Sequence, residues 1–313
     1  MELGVYHIQI VGAGYTGSAV AKYFLEKKQK VTVIKRTAEG TQALRDLGAT
    51  VLQTDLRNPD LPTIPSANFI VISLAPENRT EEAYRKTYLE AVHNYLTAIQ
   101  KNQKPLLIVY LSSTGVFGEP EIPSVAGLPL PPKDGSVRRY ATDNDVIESE
   151  AKQSQIIDES VIANPQTERA KILLEAERQI LESGYPSLIF RLSGIYGPSR
   201  NRIKSVLNGE WPPPHPEKII NMIHVDDIVQ SIPILFNQGQ AGSVYLGVDD
   251  EPVLEGDFYS WLSQKLGVSF SREKIFTGKA YGKKYNNGRL KSLGIAFKYP
   301  NFRMGYQQHL LSS

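Results

Sequence analysis

Hydrophobic positions come in short blocks whose spacing switches between two periods. Ile8, Ile10 and Val11 make a β-branched run of strand length; after Gly12 the apolar positions return at Ala19, Val20, Ala21, Phe24 and Leu25, the spacing of one helix face. The alternation then repeats. Strand-like runs at 30–34, 49–52, 69–76, 106–111 and 187–192 are separated by helical spacing at 38–47 and 80–100 and by a helix ending near Ser183-Gly184. The run from Phe69 is almost unbroken in apolar residues, as in a strand buried on both faces. This order predicts an α/β fold built on a doubly wound parallel sheet.

The first strand-to-helix junction carries candidate chemistry. In Gly12-Ala13-Gly14-Tyr15-Thr16-Gly17, Gly12 supplies the turn and Gly14 lets backbone approach a pyrophosphate. Gly17 lets the helix pack on the strand, with Tyr15 and Thr16 opening the helix whose N–H groups would face the phosphates. The strand at 30–34 follows at βαβ spacing and ends in Lys35-Arg36-Thr37, two cations where NAD-binding folds usually carry an acid. A guanidinium there takes a 2′-phosphate through paired charged hydrogen bonds, so NADP is expected in preference to NAD. Asp55 and Leu56 end the third strand, where Asp55 either meets the adenine amino group or caps a turn. Leu74 and Ala75, closing the fourth strand, are expected beside the nicotinamide ribose. Residues 1–195 thus read as a Rossmann dinucleotide-binding domain with an irregular insertion at about 119–160. Residues 196–313 turn irregular in pattern, and the family resemblance set out below implies that they form a smaller substrate-side subdomain interleaved with the sheet.

Composition narrows the classes. With 313 residues there is ample core for this fold, and a net charge of +2 with scattered basic residues marks no nucleic-acid or membrane surface. The absence of cysteine removes disulfides, thiolate metal ligands and a cysteine nucleophile. No apolar run approaches spanning length, and a cytoplasmic protein acting on a small molecule is expected. His224 beside Asp226 and Asp227 lacks further ligands, so no metal is expected, and the two aspartates read as caps of the following helix. A homodimer or a protein partner stays open.

Five motifs in order make the chain similar to the extended, sugar-nucleotide-epimerase-like branch of the short-chain dehydrogenase/reductase superfamily. They are the glycine turn; Asp55-Leu56; Ser112-Ser113-Thr114-Gly115-Val116-Phe117-Gly118; Arg191-Leu192-Ser193-Gly194-Ile195-Tyr196-Gly197-Pro198; and Ile223-His224-Val225-Asp226-Asp227-Ile228. The resemblance implies a hydroxyl on Ser113 or Thr114 that binds the substrate oxygen. It also implies a lysine, Lys171, that holds the nicotinamide ribose, and a tyrosine four residues before that lysine acting as acid or base. The tyrosine position is Thr167. An alcohol cannot be poised near neutrality as a phenol can, and Thr167 reads instead as a helix cap. Three readings follow: another group acts, among Tyr140, Tyr196 and Asp158-Glu159; Ser113, Thr114 and Lys171 suffice; or the protein is a non-catalytic NADP-binding regulator acting through a protein partner. A structural subunit with a vestigial site is a further alternative. The favoured reading is an NADP-dependent oxidoreductase or epimerase/dehydratase-like enzyme on a small anionic or sugar-derived substrate.

The proline-rich stretch from Gly118 to Pro165 reads as a lid or an insertion, with Arg138, Arg139 and Tyr140 in it. Arg200, Asn201 and Arg202 are candidates for a substrate phosphate or carboxylate, and Trp211 to Pro216 for a pocket wall. A strand at 243–248 and a helix at 256–266 follow, then a basic segment and a closing element from Asn287 to Pro300.

Overall fold

The computed structural model describes residues 5–100, 104–118, 155–210, 216–269 and 280–310. Seven parallel strands form the central sheet: β1 (His7–Val11), β2 (Lys30–Lys35), β3 (Thr50–Gln53), β4 (Phe69–Ile72), β5 (Leu107–Ser113), then β7 (Ser187–Leu192) and β11 (Val244–Gly247). Their order across the sheet is β11-β7-β5-β4-β1-β2-β3. The direction of winding therefore reverses between β1 and β4, which opens a crevice at their carboxyl ends. Among the described residues, short strands form three further two-stranded pairs. β6 (Gln155–Ile157) pairs with β13 (Lys283–Tyr285), β8 (Gly194–Tyr196) with β10 (Met222–His224), and β9 (Ile219–Ile220) with β12 (Val253–Leu254).

Both sheet faces are buried, which is why the strands read as continuous apolar runs. On one face Ile8, Ile10, Val33, Val71 and Val109 pack with Val20 and Phe24 of α1 (Tyr15–Glu26). Ile228, Ile232 and Leu235 of α7 (Val225–Gln238) complete that face. On the other, Val11, Ile34, Ile70, Ile72 and Ile108 pack with Val92, Tyr95 and Ile99 of α4 (Ala91–Gln100) and with Ala176 and Ile180 of α5 (Glu168–Leu181).

The departures from the predicted elements have local causes. The helix expected over 38–47 is only α2 (Gln42–Asp46), because Gly40 takes φ +67° and the Thr41 hydroxyl donates to the Ala38 carbonyl at 2.6 Å. The helical stretch at 80–100 starts as expected on a Thr80 cap, but its α3 (Glu81–Tyr84) and α4 are joined by a π-helical segment, Arg85–Glu90. Asp226 and Asp227 do not cap α7. The side chain of His224 does, its Nδ1 accepting the Asp226 N–H at 3.1 Å. The remaining helices are α6 (Ile203–Leu207), α8 (Glu255–Leu266), α9 (Gly288–Lys291) and α10 (Phe302–Leu310), the last not anticipated. Arg138, Arg139, Tyr140 and residues 211–215 lie outside the described residues.

Candidate active site

The glycine turn lies at the crevice between β1 and β4. Gly12 has φ +93°, and a Cβ there would come within 2.6 Å of the Ser73 carbonyl oxygen. At Gly17 a Cβ would fall 2.0 Å from the Gly12 oxygen, so the helix and turn pack at backbone contact. Gly14 differs. A Cβ there would meet nothing within 4 Å, and the residue caps α1 with no side-chain hydrogen bond and no acid in the first turn. Exposed N–H groups at an uncrowded helix start fit a pyrophosphate.

A cavity of about 200 Å³ runs from this turn along the ends of β2, β3 and β4, lined by Gly12, Gly14, Arg36, Asp55, Leu74 and Ala75 among others. Lys35 and Leu56 line it too. The Lys35 ammonium is held by the Glu39 carbonyl, and Leu56 is buried with its carbonyl accepting from Asn94 at 3.0 Å. Asp55 accepts the Arg57 N–H at 3.1 Å and is gripped by the Arg57 guanidinium, which holds its carboxyl below the usual range. Arg36 is itself paired with a carboxylate, Glu77. Tyr15 joins the turn to the segment after β8. Its hydroxyl donates to the Pro198 carbonyl at 2.9 Å, Arg200 stacks over its ring, and burial pushes its pKa up to about 12. Thr16 and Gly17 are buried behind it.

A second cavity, about 570 Å³, opens beyond the ends of β5 and β7. Thr114, Arg200, Asn201 and Arg202 all line it, which brings the predicted substrate residues together with the predicted hydroxyl. Tyr196 lines it as well, but stacks on Tyr306 with ring centroids 5.1 Å apart, and burial raises its pKa far above that of a free phenol. Ser113 is turned to local work, its oxygen accepting the Gly115 N–H at 3.1 Å to cap the 3-10 turn Thr114–Phe117. Behind this turn sits a buried ion pair. Arg191 donates from Nη2 to Glu177 Oε2 at 2.7 Å, and Glu177 Oε1 also accepts from Ser112 Oγ at 2.5 Å. That pair joins β5, β7 and α5 just below Ser113 and Thr114.

Thr167 is the N-cap of α5, and Lys171, with its side chain 55% exposed, pairs with Glu168 at 2.7 Å. Neither lines either cavity. Asp158 caps a turn through Ser160, and Glu159 accepts the Leu246 N–H at 2.8 Å. Lys283 and Tyr285, from the basic segment 279–289 whose cations the sequence offers either to an anionic ligand or to solubility, line the large cavity, as does Lys218, which was not singled out. Tyr285 donates its hydroxyl to the Thr114 carbonyl at 3.3 Å, and Lys283 donates to the carbonyls of Phe117 and Gly118. Asn221 positions that strand with both ends of its amide, donating to the Lys283 carbonyl at 2.8 Å and accepting the Tyr285 N–H at 3.0 Å. Among the described residues there is no cluster of three potential metal ligands and no helix long and apolar enough to cross a membrane.

The seven-stranded parallel sheet with helices on both faces defines the class, a Rossmann-like α/β fold shared with solved epimerase/dehydratase structures. Residues 8–153 match the model of the NAD dependent epimerase/dehydratase family. Across 94% of its length the chain is 24% identical to Protein YeeZ of Escherichia coli K12, covering 96% of that protein. A putative NAD-dependent epimerase/dehydratase from Methylobacillus flagellatus superposes with a TM-score of 0.74 over 99% of both chains at 24% identity. A dTDP-glucose 4,6-dehydratase from Bacillus anthracis, solved in complex with NAD, superposes at 0.67 over 97% of this chain and 95% of its own at 16% identity.

Proposed function

We propose that this protein is an NADP-dependent oxidoreductase of the epimerase/dehydratase kind, acting on a small anionic or sugar-derived substrate. The observation that carries this reading is the large cavity at the ends of β5 and β7. Thr114 and Tyr285 bring hydroxyl groups to it. Among the described residues that line it, Arg200, Arg202, Lys218 and Lys283 are cationic and Glu255 is acidic. Excess positive charge in a concave, partly dehydrated site selects an anion and orients it. The glycine turn and the open space at Gly14 support dinucleotide binding, and Arg36 supports the 2′-phosphate. A bound nicotinamide supplies a hydride acceptor or donor. The chain contributes positioning: Thr114, the predicted hydroxyl residue that lines the cavity, holds the substrate oxygen, and the arginines fix the anionic end.

Two measurements test it. Calorimetric titration should show uptake of NADP, with Arg36→Ala losing about tenfold or more in NADP affinity while NAD affinity is little changed. With NADP loaded, a panel of UDP- and dTDP-hexoses should contain at least one that produces transient absorbance of reduced nicotinamide at 340 nm. No uptake of any nicotinamide nucleotide would refute the reading.

A further inference from the structure

Two guanidinium groups from different strand ends converge on one carboxylate oxygen beside the smaller cavity. Arg36, just past β2, pairs with Glu77 Oε1, and Nη1 of Arg57, just past β3, lies 3.4 Å from the same atom. Arg57 cannot swing freely, because its Nε and Nη2 donate to both oxygens of Asp55 at 2.9 and 2.6 Å. Both arginines line the cavity that starts at the glycine turn, and Glu77 does not. Glu77 lies past the end of β4, and its side chain is 53% exposed.

Paired guanidinium groups aimed at one point are the geometry that receives a phosphate. In this protein a carboxylate already stands at that point. We propose that Glu77 is an internal competitor for the 2′-phosphate of NADP. Arg36 and Arg57 together receive that phosphate, and Glu77 sets the margin by which the protein prefers NADP to NAD. The inference rests on the dinucleotide reading above and adds to it a second phosphate ligand and an opposing anion.

The energetics favour exchange. Ion pairs this exposed are weak, because water screens both charges. A phosphate monoester carries nearly two negative charges and three acceptor oxygens, so it engages both forks at once where a single carboxylate oxygen is shared between them. Asp55 stays in place during the exchange and keeps Arg57 aimed. Before binding, Asp55 and Glu77 offset Arg36 and Arg57 while Lys35 adds a further cation; neutralising Glu77 raises the positive charge at the two guanidinium groups, which only a ligand with a 2′-phosphate exploits in full.

The probes are 2′,5′-ADP, which carries the extra phosphate, and 5′-AMP, which does not, titrated calorimetrically into the full chain alongside NADP and NAD. Glu77→Gln should tighten 2′,5′-ADP and NADP about three- to fivefold, the scale of one exposed charge pair, with 5′-AMP and NAD little changed. Arg57→Gln should weaken 2′,5′-ADP about tenfold and spare 5′-AMP. Arg57→Lys, which keeps the charge and loses the fork, should fall between. Thermal melts confirm that each variant is folded. Equal tightening of all four ligands by Glu77→Gln, or no change, overturns the proposal, as does an Arg57→Gln variant that binds 2′,5′-ADP normally. In those cases nucleotide binding by the unmodified protein leaves the dinucleotide reading standing. Failure of the unmodified protein to bind any of the four removes both.

Discussion

The hydroxyl oxygen of Thr167 accepts the backbone N–H of Ala170 at 3.2 Å, closing the first turn of α5 at the position where the sequence resemblance implies a tyrosine. The side chain is therefore committed to one of the N–H groups that a helix start leaves unpaired. Thr167→Ala should cost about 1 kcal/mol of stability and leave nucleotide uptake and turnover unchanged, while Thr167→Ser keeps the cap and most of the stability. Lost turnover in a variant with an unaltered denaturation midpoint would show that the hydroxyl takes part in the reaction.

Lys171 sits one turn further along α5 in a solvent-exposed pair with Glu168. Such pairs contribute little, and the residue lines neither cavity. Lys171→Ala should leave both the melting midpoint and NADP affinity essentially unchanged. A clear loss of NADP affinity in calorimetry would mean that the ammonium leaves Glu168 for the nicotinamide ribose, as the family resemblance implies.

Glu177 and Arg191 form the opposite kind of pair, with side chains only 3% and 7% exposed. Removing one partner strands a buried charge, so Glu177→Ala should destabilise by about 3–5 kcal/mol. A combined Glu177→Leu and Arg191→Met variant should recover much of that loss, since an apolar pair of similar volume replaces the charges without their desolvation cost. Urea titration of the three proteins distinguishes these outcomes. Equal stability for Glu177→Ala and the parent would contradict the reading of the pair as the support beneath Ser113 and Thr114.

Two buried groups at the start of α7 oppose each other in acid. Burial lowers the His224 pKa to about 4, with Asp226 opposing that shift and His309 and Lys298 reinforcing it. Between about 6.5 and 4 the unfolded chain takes up the proton first, so stability falls as pH falls through this window. Burial raises the Asp227 pKa to about 6, against the N–H groups of Lys298 and Tyr299 that donate to its carboxylate. There the folded chain takes up the proton first, and between about 6 and 3.8 stability rises as pH falls. The contributions of these two groups therefore oppose each other below pH 6. Asp227→Asn should lose stability more steeply from pH 6.5 to 4, and His224→Gln less steeply, in urea midpoints measured at half-unit steps. Parallel curves for all three proteins would count against both shifts.

The contact between His224 and His309 shows how far sequence reasoning reaches. Nε2 of one ring lies 3.1 Å from Nε2 of the other, and because His224 Nδ1 accepts an N–H, its Nε2 must carry the proton and donate. The Ile223-His224-Val225-Asp226-Asp227 motif was legible, yet its roles were not. Asp227 holds the loop at Lys298 and Tyr299, and His224 does the capping. A capping signal names the neighbourhood of a helix start, but several side chains there compete for the same few N–H groups. Which one succeeds depends on what else each can reach.

By itself the sequence determined the alternation of strands and helices, the glycine turn and the Thr167 cap. Each is set by backbone geometry and by neighbours a few residues away, so local spacing is enough to reveal it. Only the tertiary structure decided that Glu77 would face Arg36 and Arg57, that Lys283 and Tyr285 would dock on the turn after β5, and that Asn221 would hold them there. These partners are brought together by the order of strands across the sheet and by the packing of short strands against it, and polar side chains pair with whatever that order places within reach.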